Sequence, residues 1–168
     1  MRVEVAIPAA GQGDPARAAR RAEALGYDRL TATETAHNPF LALAIAAGAT
    51  RRVDLATSIA IAFARSPMVT AQLAWDLREL SGGRFQLGLG TQVKGHVIRR
   101  YSAPWSAPGP RMREYLNALR AIWASWEAGG TRLQFSGETY QFSLMSPEYS
   151  PGKSELPTIP VTVGGAGP

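Results

Sequence analysis

The chain has 168 residues, of which 45% are hydrophobic and 18% charged. This composition is typical of a folded globular protein with a sizeable core, and it is too apolar for a disordered chain. Cysteine is absent, which excludes disulfides, thiolate metal sites and a cysteine nucleophile. Because no apolar run could cross a membrane and no signal peptide is recognisable, we expect a cytoplasmic protein without membrane contact.

The formal net charge is +5, but the basic residues are dispersed along the chain. They do not alternate with aromatic residues as they do in proteins that bind single-stranded nucleic acid, so we expect no nucleic-acid partner. The two histidines, His37 and His96, lack the spacing of a metal site. The sequence therefore favours a small molecule as the ligand, with no metal.

Strand and helix patterns alternate along the first 90 residues. Apolar alternation predicts four strands, at residues 3–7, 27–33, 53–62 and 84–90. A capping residue followed by proline predicts the start of each intervening helix, at Asp14-Pro15, Asn38-Pro39 and Ser66-Pro67. Regular alternation of this kind predicts a parallel sheet that is wound in one direction.

The stretch from Asp76 to Gly90 contains the end of the third helix, a turn and the fourth strand. Ser81-Gly82-Gly83 ends the helix, because glycine readily adopts the left-handed conformation found at helix ends. Alternate residues from Phe85 onward lie on one face of the strand, whereas Gly88 and Gly90 lie on the other. Glycines on that face leave room for a ligand or allow close packing between strands.

After Gly90 the pattern becomes irregular. Residues 91–109 are predicted to form a long loop that is rich in large side chains. The elements predicted beyond this loop are a helix from Pro110, a hairpin with strands at 133–135 and 139–142, and a fifth strand at 159–163. Residues 131–157, which include the hairpin, interrupt the βα pattern as an insertion segment.

Two folds with a parallel sheet compete for this pattern, the TIM barrel and the doubly wound Rossmann sheet. The Rossmann fingerprint G-x-G-x-x-G follows the first strand. In this chain Gly88-Leu89-Gly90 follows the fourth strand, and Val93 occupies the position of the third glycine. We therefore predict an α/β chain that forms part of a TIM (β/α)8 barrel.

Several of these motifs together resemble the bacterial luciferase-like monooxygenase superfamily. They are Arg65-Ser66-Pro67, Ala74-Trp75-Asp76-Leu77, Ser81-Gly82-Gly83-Arg84-Phe85 and Leu87-Gly88-Leu89-Gly90. A branch of F420-dependent oxidoreductases is similar at Gln92-Val93-Lys94-x-His96, Arg100 and Arg111-x-Arg113-Glu114-Tyr115. The resemblance covers essentially the whole chain, and it implies a TIM barrel with an insertion before the fifth strand.

The same resemblance implies that residues 1–168 form a single domain that is only the N-terminal portion of such a barrel. This portion comprises the first four βα units, the insertion hairpin and the fifth strand. An open sheet exposes an unpaired edge. We therefore expect low stability for the chain alone, with a homo-oligomer or a second chain completing the barrel.

The family implies an oxidoreductase that transfers hydride between coenzyme F420 and a small organic substrate. FMN-dependent monooxygenation is the first alternative. A second alternative, from another class, is a non-catalytic fragment or subunit that needs another chain. In either enzyme the cofactor carries the chemistry, and the protein orients it and excludes water.

The predicted catalytic residues are Glu34, at the end of the second strand, and His37, three residues later. Active sites of TIM barrels lie at the carboxyl ends of the strands, where this pair would act as acid and base beside a flavin ring. Many relatives carry a histidine directly after the acidic residue, and this chain has Thr35 there. The alternative is that Glu34 contacts a neighbouring loop and His37 only adjoins a helix cap.

The predicted cofactor-binding residues follow the ends of the third, fourth and fifth strands. They are Ser58, Ile59, Ala60, Gly88, Gly90, Gln92, Lys94, His96, Gly164 and Gly165. F420-dependent relatives carry a bulge with a non-prolyl cis peptide at the third strand, which implies one near Ser58-Ile59. The alternative there is a plain buried strand.

The remaining cofactor contacts are implied by chemistry as well as by the resemblance. Gly88 and Gly90 would let a planar ring approach, whereas Lys94 and His96 would complement phosphate and carboxylate groups. Gly164-Gly165 would contact phosphate through backbone amides. The alternatives are solvated basic side chains and a frayed chain end.

Overall fold

The computed structural model describes residues 2–130 and 132–165. These residues divide into two compact units. The first unit comprises the described parts of Met1–Ile61, Leu73–Gly90 and Leu156–Pro168, and the second comprises those of Ala62–Gln72 and Thr91–Glu155. The assignment of residues 1–168 to a single domain stays a prediction.

Over the first 90 residues, helices and strands alternate in the order that the sequence predicts, apart from the additional short strand β4. The described elements are β1 (Glu4–Ala6), α1 (Pro15–Ala24), β2 (Arg29–Ala32), α2 (Pro39–Ala49), β3 (Asp54–Thr57), β4 (Ala60–Ile61), α3 (Pro67–Ser81), β5 (Phe85–Gly90), α4 (Lys94–Arg99), α5 (Pro108–Glu127), β6 (Phe135–Ser136), β7 (Gln141–Phe142) and β8 (Val161–Val163). Within the described residues, no helix is both long and apolar enough to cross a membrane.

The first unit is built on a parallel sheet with the order β1-β2-β3-β5. Strands β4 and β8 also pair with β5 in parallel, next to the carboxyl half of that strand. Phe85, Leu87 and Leu89 of β5 are buried almost completely. The predicted α/β fold with a parallel sheet is therefore confirmed, and β5 pairs with three other strands, β3, β4 and β8.

Local signals in the sequence account for the helix boundaries. The side chains of Asp14 and Asn38 accept hydrogen bonds from backbone N–H groups in the first turns of α1 and α2. At the end of α3, Gly82 and Gly83 have φ values of +64° and +84°. Left-handed glycines of this kind end the helix and turn the chain into β5.

Arg84 joins this turn to the neighbouring elements. Its guanidinium donates five hydrogen bonds, whose acceptors are the carbonyls of Ala47, Thr50, Val53 and Ser81 and the hydroxyl of Thr50. Burial lowers the pKa of the Arg84 side chain. The most recognisable part of the sequence resemblance therefore has a structural role, because Arg84 satisfies carbonyls at the ends of two helices.

Helix α5 begins at Pro108 and not at the predicted Pro110, and the hairpin strands are shorter than predicted. Three other elements differ more clearly from the prediction. The strand predicted at 53–62 is divided into β3 and β4, because Ser58 and Ile59 interrupt the ladder. The loop predicted at 91–109 contains α4, whose six residues are too few to show a period. The fifth strand is shorter than predicted, since β8 begins at Val161.

The second unit packs α5 against the first turns of α3 and against the predicted hairpin. Tyr115 is fully buried, its hydroxyl lies 2.5 Å from that of Thr70, and its ring stacks edge-on against Tyr140. Burial raises the pKa of the Tyr115 hydroxyl well above its ordinary range. The antiparallel pairing of β6 with β7 confirms the hairpin.

Two charged residues at the start of α5 attach surrounding segments to the helix. Arg111 donates to the hydroxyl of Tyr140 and to the carbonyl of Pro104, and its guanidinium lies 4.2 Å from the ring centre of Phe63. Glu114 accepts two backbone hydrogen bonds from the hairpin. The Arg111-x-Arg113-Glu114-Tyr115 motif thus organises the second unit.

Candidate active site

The polar groups at the carboxyl ends of the strands surround an irregular segment that follows β3 and includes the short strand β4. We call residues Ser58–Ile61 the bulge. The Ser58-Ile59 peptide is cis, as the sequence resemblance predicted. The carbonyl of Ser58 accepts a hydrogen bond of 2.8 Å from the hydroxyl of Thr33, and its N–H donates to the carbonyl of Ala32 at 2.9 Å. The end of β2 therefore holds the beginning of the bulge.

Thr57 connects the bulge to β5. Its hydroxyl donates to the carbonyl of Gly88 at 2.7 Å and accepts from the N–H of the same residue at 2.8 Å. Thr57 as a whole is 2% exposed. The hydroxyl replaces ladder bonds that β3 cannot make where its regular pairing ends.

Gly88 is required by the packing of two strands. A Cβ atom at this position would collide with the backbone carbonyl oxygen of Thr57 and would lie 3.4 Å from the hydroxyl of Thr162. Both neighbours belong to the sheet. The space that Gly88 leaves is filled by protein, which agrees with the close-packing alternative for this residue.

Gly90 and Gly164 accommodate the side chain of Ile59. A Cβ atom at Gly90 would lie 2.8 Å from Cδ1 of Ile59, and one at Gly164 would lie 3.3 Å from its Cγ2. The N–H of Gly164 donates to the carbonyl of Leu89 at 2.8 Å, so the sheet uses this amide. The two glycines thus place Ile59, which is half-buried, at the carboxyl end of the sheet.

The other residues of this end differ in exposure. Ser58 is exposed, whereas Ala60 is buried. A Cβ atom added at Gly165 would meet no described atom within 4 Å. Of the cofactor-binding residues predicted in the first unit, Ser58, Ile59, Gly164 and Gly165 therefore have surface that a ligand could contact, whereas Ala60, Gly88 and Gly90 are buried.

Glu34 lies against the bulge. Its N–H donates to the carbonyl of Ile59 at 3.2 Å, and its carboxylate Oε2 accepts from the N–H of Ile61 at 2.7 Å. His37 is half-buried in the turn before Asn38, which caps α2. The position of Glu34 at the carboxyl ends of the strands is as predicted, and the catalytic roles of both residues stay predictions.

Gln92, Lys94 and His96 belong to the second unit. Gln92 has a φ of +64°, and its side chain accepts from the N–H of Val93. Lys94 and His96 are exposed on α4. Residues two positions apart point to different sides of a helix, so these two do not form a single basic surface.

A surface depression of about 390 Å³ lies at the amino ends of β2 and β3. The charged groups that line it are largely engaged with one another or with the backbone. Arg2 lies 3.6 Å from the carboxylate of Asp54, and Glu23 accepts from the backbone N–H groups of residues 51–53. This end of a parallel sheet is typical of stabilising interactions, whereas ligands bind at the other end.

Sequence reasoning missed Thr33 and Thr57, whose hydroxyls bond to the bulge and to β5. The signal was present, since each is a threonine near the end of an apolar strand. A hydroxyl there can replace a ladder hydrogen bond, but the sequence does not reveal which strand it faces.

Comparison with solved structures supports the barrel architecture. The oxygenating constituent of 3,6-diketocamphane monooxygenase from Pseudomonas putida, solved with FMN, matches 96% of this chain and 51% of its own, with a TM-score of 0.75 and 19% identity. The coenzyme F420 dependent tetrahydromethanopterin reductase from Methanopyrus kandleri matches 99% of this chain and 50% of its own, with a TM-score of 0.71 and 18% identity. These likenesses concern the fold.

Relatives found by sequence have higher identity to this chain than these two solved structures do. An uncharacterised protein of Mycobacterium tuberculosis is 46% identical over 155 residues, which are 90% of this chain and 45% of that protein. The 5,10-methylenetetrahydromethanopterin reductase of Archaeoglobus fulgidus is 30% identical over 149 residues, which are 88% of this chain and 42% of the reductase. The chain thus spans less than half the length of these relatives.

The family model described as luciferase-like monooxygenase matches residues 6–168. That match includes every strand of the parallel sheet except the first two residues of β1. It also includes the bulge and the glycines that receive Ile59. The chain therefore belongs to the luciferase-like monooxygenase family, whose members include F420-dependent and FMN-dependent oxidoreductases.

Proposed function

We propose that the chain supplies the cofactor-binding part of an oxidoreductase that transfers hydride between coenzyme F420 and a small organic substrate. The observation that carries this proposal is the placement of Ile59, seated on Gly90 and Gly164 at the carboxyl end of the parallel sheet. The hydride-transfer activity is also a proposal, because the chain spans less than half of its relatives' length.

The exposed groups around Ile59 fit a flat, largely apolar ring with a polar tail. Ile59 offers an apolar surface. Its side chain packs closely against Gly90 and Gly164, so a bound ring cannot push it further toward the sheet. Gly165 has room for a close approach to its backbone, which suits a phosphate group. When bound, the cofactor would supply the hydride chemistry, whereas these residues would bind and orient it.

The choice of F420 over FMN is supported by the reductases among the relatives. The archaeal relative at 30% identity is a methylenetetrahydromethanopterin reductase, and the solved tetrahydromethanopterin reductase is named for its dependence on coenzyme F420. The FMN-bound monooxygenase has a comparable likeness in fold. FMN-dependent monooxygenation is therefore the alternative that the experiment must separate.

Fluorescence titration of the full chain with F420 and, separately, with FMN tests the proposal. We expect saturable binding of F420 and none of FMN. The variant Ile59→Ala should weaken F420 binding by about tenfold, because it removes most of the apolar surface at the site. The matched control is Ile45→Ala, which shortens an isoleucine that is 42% exposed on α2.

The other outcomes of this titration point to the alternatives. Binding of FMN alone would favour a flavin-dependent monooxygenase. Binding of neither cofactor by a chain that aggregates in size-exclusion chromatography would favour a non-catalytic fragment or subunit that needs a second chain. If both isoleucine variants changed F420 binding equally, Ile59 would not be part of the cofactor site.

A further inference from the structure

The end of β2 makes a nearly continuous set of hydrogen bonds with the bulge. Ala32 accepts from the N–H of Ser58, and the hydroxyl of Thr33 donates to the carbonyl of the same residue. Glu34 then makes two further bonds, one to Ile59 and one to Ile61. Three consecutive residues of β2 and its end therefore follow the irregular backbone step by step.

Glu34 is the last residue of this set, and it bonds to two residues of the bulge, one through its backbone and one through its side chain. Its backbone N–H binds the carbonyl of Ile59 at 3.2 Å, and its carboxylate Oε2 binds the N–H of Ile61 at 2.7 Å. The two bonds lie on either side of Ala60. A residue that holds both flanks of Ala60 fixes where the preceding Ile59 side chain points.

The bond from the Ile61 N–H to the carboxylate of Glu34 also satisfies a buried backbone donor. Ile61 is 1% exposed, so its N–H is removed from bulk water. An unpaired buried N–H is costly, and a carboxylate oxygen is a strong acceptor for it. The short distance of 2.7 Å is typical of such charge-assisted bonds.

We infer that Glu34 is a positioning residue, which sets the bulge through its bond to the N–H of Ile61 and thereby holds Ile59 where the cofactor ring would rest. What matters in this role is an acceptor oxygen at the correct reach. An acid–base role would instead require a group that exchanges protons. The part that concerns the cofactor rests on the proposed function, whereas the part that concerns the bulge does not.

Two conservative variants of the full chain separate these roles. Glu34→Gln keeps the length and an acceptor oxygen but cannot act as an acid or base. Glu34→Asp keeps the carboxylate but withdraws it by one methylene. Positioning predicts that the glutamine variant stays closer to the wild type than the aspartate variant does, whereas proton transfer predicts the reverse order.

The first readout does not depend on any cofactor. Amide hydrogen exchange at Ile61, measured by NMR, should become about tenfold faster in Glu34→Asp and in Glu34→Ala, because the bonded acceptor is lost. In Glu34→Gln, which keeps an acceptor but loses its charge, the increase should be smaller, at most about threefold. Asp76→Ala, which removes an exposed carboxylate from α3, should leave Ile61 unchanged.

The second readout is the affinity for whichever of F420 and FMN the wild type binds. Positioning predicts a loss of about tenfold for Glu34→Asp and little change for Glu34→Gln. A glutamine variant that loses affinity while its Ile61 amide stays protected would overturn the inference, as would unchanged Ile61 exchange in Glu34→Asp. If the wild type binds neither cofactor, the proposed function fails, and Ile61 exchange still decides whether Glu34 holds the bulge.

Discussion

The two ends of β5 show two ways in which a side chain can serve the backbone of a parallel sheet. At the amino end, Arg84 donates five hydrogen bonds to groups of α2, α3 and the approach to β3. At the carboxyl end, the hydroxyl of Thr57 bonds to Gly88, and Glu34 bonds to the bulge beside Gly90. The first arrangement satisfies carbonyls at the ends of regular helices, whereas the second stabilises the irregular backbone of the bulge.

The two ends of β5 should therefore differ in what a substitution changes, the stability of the fold or the binding of a ligand. The carbonyls that Arg84 satisfies would be unpaired at buried helix ends without it, so its loss affects the whole fold. Among the described residues, the bulge pairs with β5 only through the two residues of β4, and it places Ile59 on Gly90 and Gly164. Changes at the amino end should therefore alter mainly the free energy of unfolding, and changes at the carboxyl end should also alter ligand binding.

The largest effect is expected from Arg84→Ala. Removing the guanidinium leaves several carbonyls without donors and opens a cavity, so we expect a loss on the order of 3 kcal/mol in the free energy of unfolding. Urea denaturation measures this loss. Arg20→Ala, at an exposed arginine of α1, is the matched control and should change stability by less than about 0.5 kcal/mol.

Arg84→Lys sharpens the same test. The lysine ammonium carries its three donors on one atom, so it cannot serve acceptors on both sides as the planar guanidinium does. We expect a loss intermediate between those of the wild type and Arg84→Ala. A lysine variant as stable as the wild type would show that charge, and not the five-bond geometry, holds this end of β5.

A smaller effect is expected from Gly88→Ala. The added methyl group would collide with the carbonyl of Thr57, and overpacking of this kind typically costs about 1–3 kcal/mol. Gly48→Ala is the control, because its Cβ atom meets no described atom within 4 Å. That control should be neutral or stabilising by up to about 1 kcal/mol, since alanine is the better helix former. Equal stability of the two variants would contradict close packing at Gly88.

The sequence predicted best those features that depend on neighbouring residues. The helix starts at Pro15, Pro39 and Pro67 required only a capping residue and a proline. The division of the third strand was predicted only through the resemblance to a family, because the apolar pattern continues across Ser58 and Ile59. No local signal distinguishes a regular strand from one that is interrupted there.

Other features could not be predicted because they depend on which strands are adjacent. The glycines of β5 indicated free space, but only the structure shows that a protein side chain occupies the space beside Gly90. The role of Thr57 required the register between β3 and β5. Helix α4 escaped prediction because Val97 is its one buried residue, which gives no period.

The contact between Ile59 and Gly90 allows a double-mutant test at the carboxyl end of β5. Gly90→Ala should destabilise the chain by about 1–2 kcal/mol, because its Cβ atom would lie 2.8 Å from Cδ1 of Ile59. Ile59→Ala removes both Cδ1 and Cγ1, which would lie 2.8 Å and 2.9 Å from that Cβ atom, and by itself should cost about 2 kcal/mol. The double variant should be more stable than the sum of the two losses predicts, by at least about 0.5 kcal/mol. Additive losses in urea denaturation would show that the two side chains do not meet.

The smallest effect concerns Glu23, which is the counterpart of Glu34 at the amino end of the sheet. Its carboxylate accepts hydrogen bonds from the N–H groups of Arg51, Arg52 and Val53. Burial alone would raise the pKa of Glu23, but these three bonds and the positive charge of Arg52 together hold it below the ordinary value of 4.5. Both ends of the sheet thus use a carboxylate to satisfy backbone donors.

A carboxyl group whose pKa is lower in the folded state stabilises the fold above its unfolded pKa, and this stabilisation disappears as the pH falls through the folded value. The wild type should therefore lose part of its stability below about pH 4.5, and Glu23→Gln should lack that part of the dependence. Since Glu23 is partly exposed, we expect a difference of less than about 1 kcal/mol at pH 7 that shrinks toward pH 3. Urea denaturation across this range measures it, with Asp76→Asn as the exposed-carboxylate control. A difference that grew on acidification would mean that the turn between α2 and β3 is held by Glu23 in its protonated form, and the similarity between the two ends of the sheet would fail.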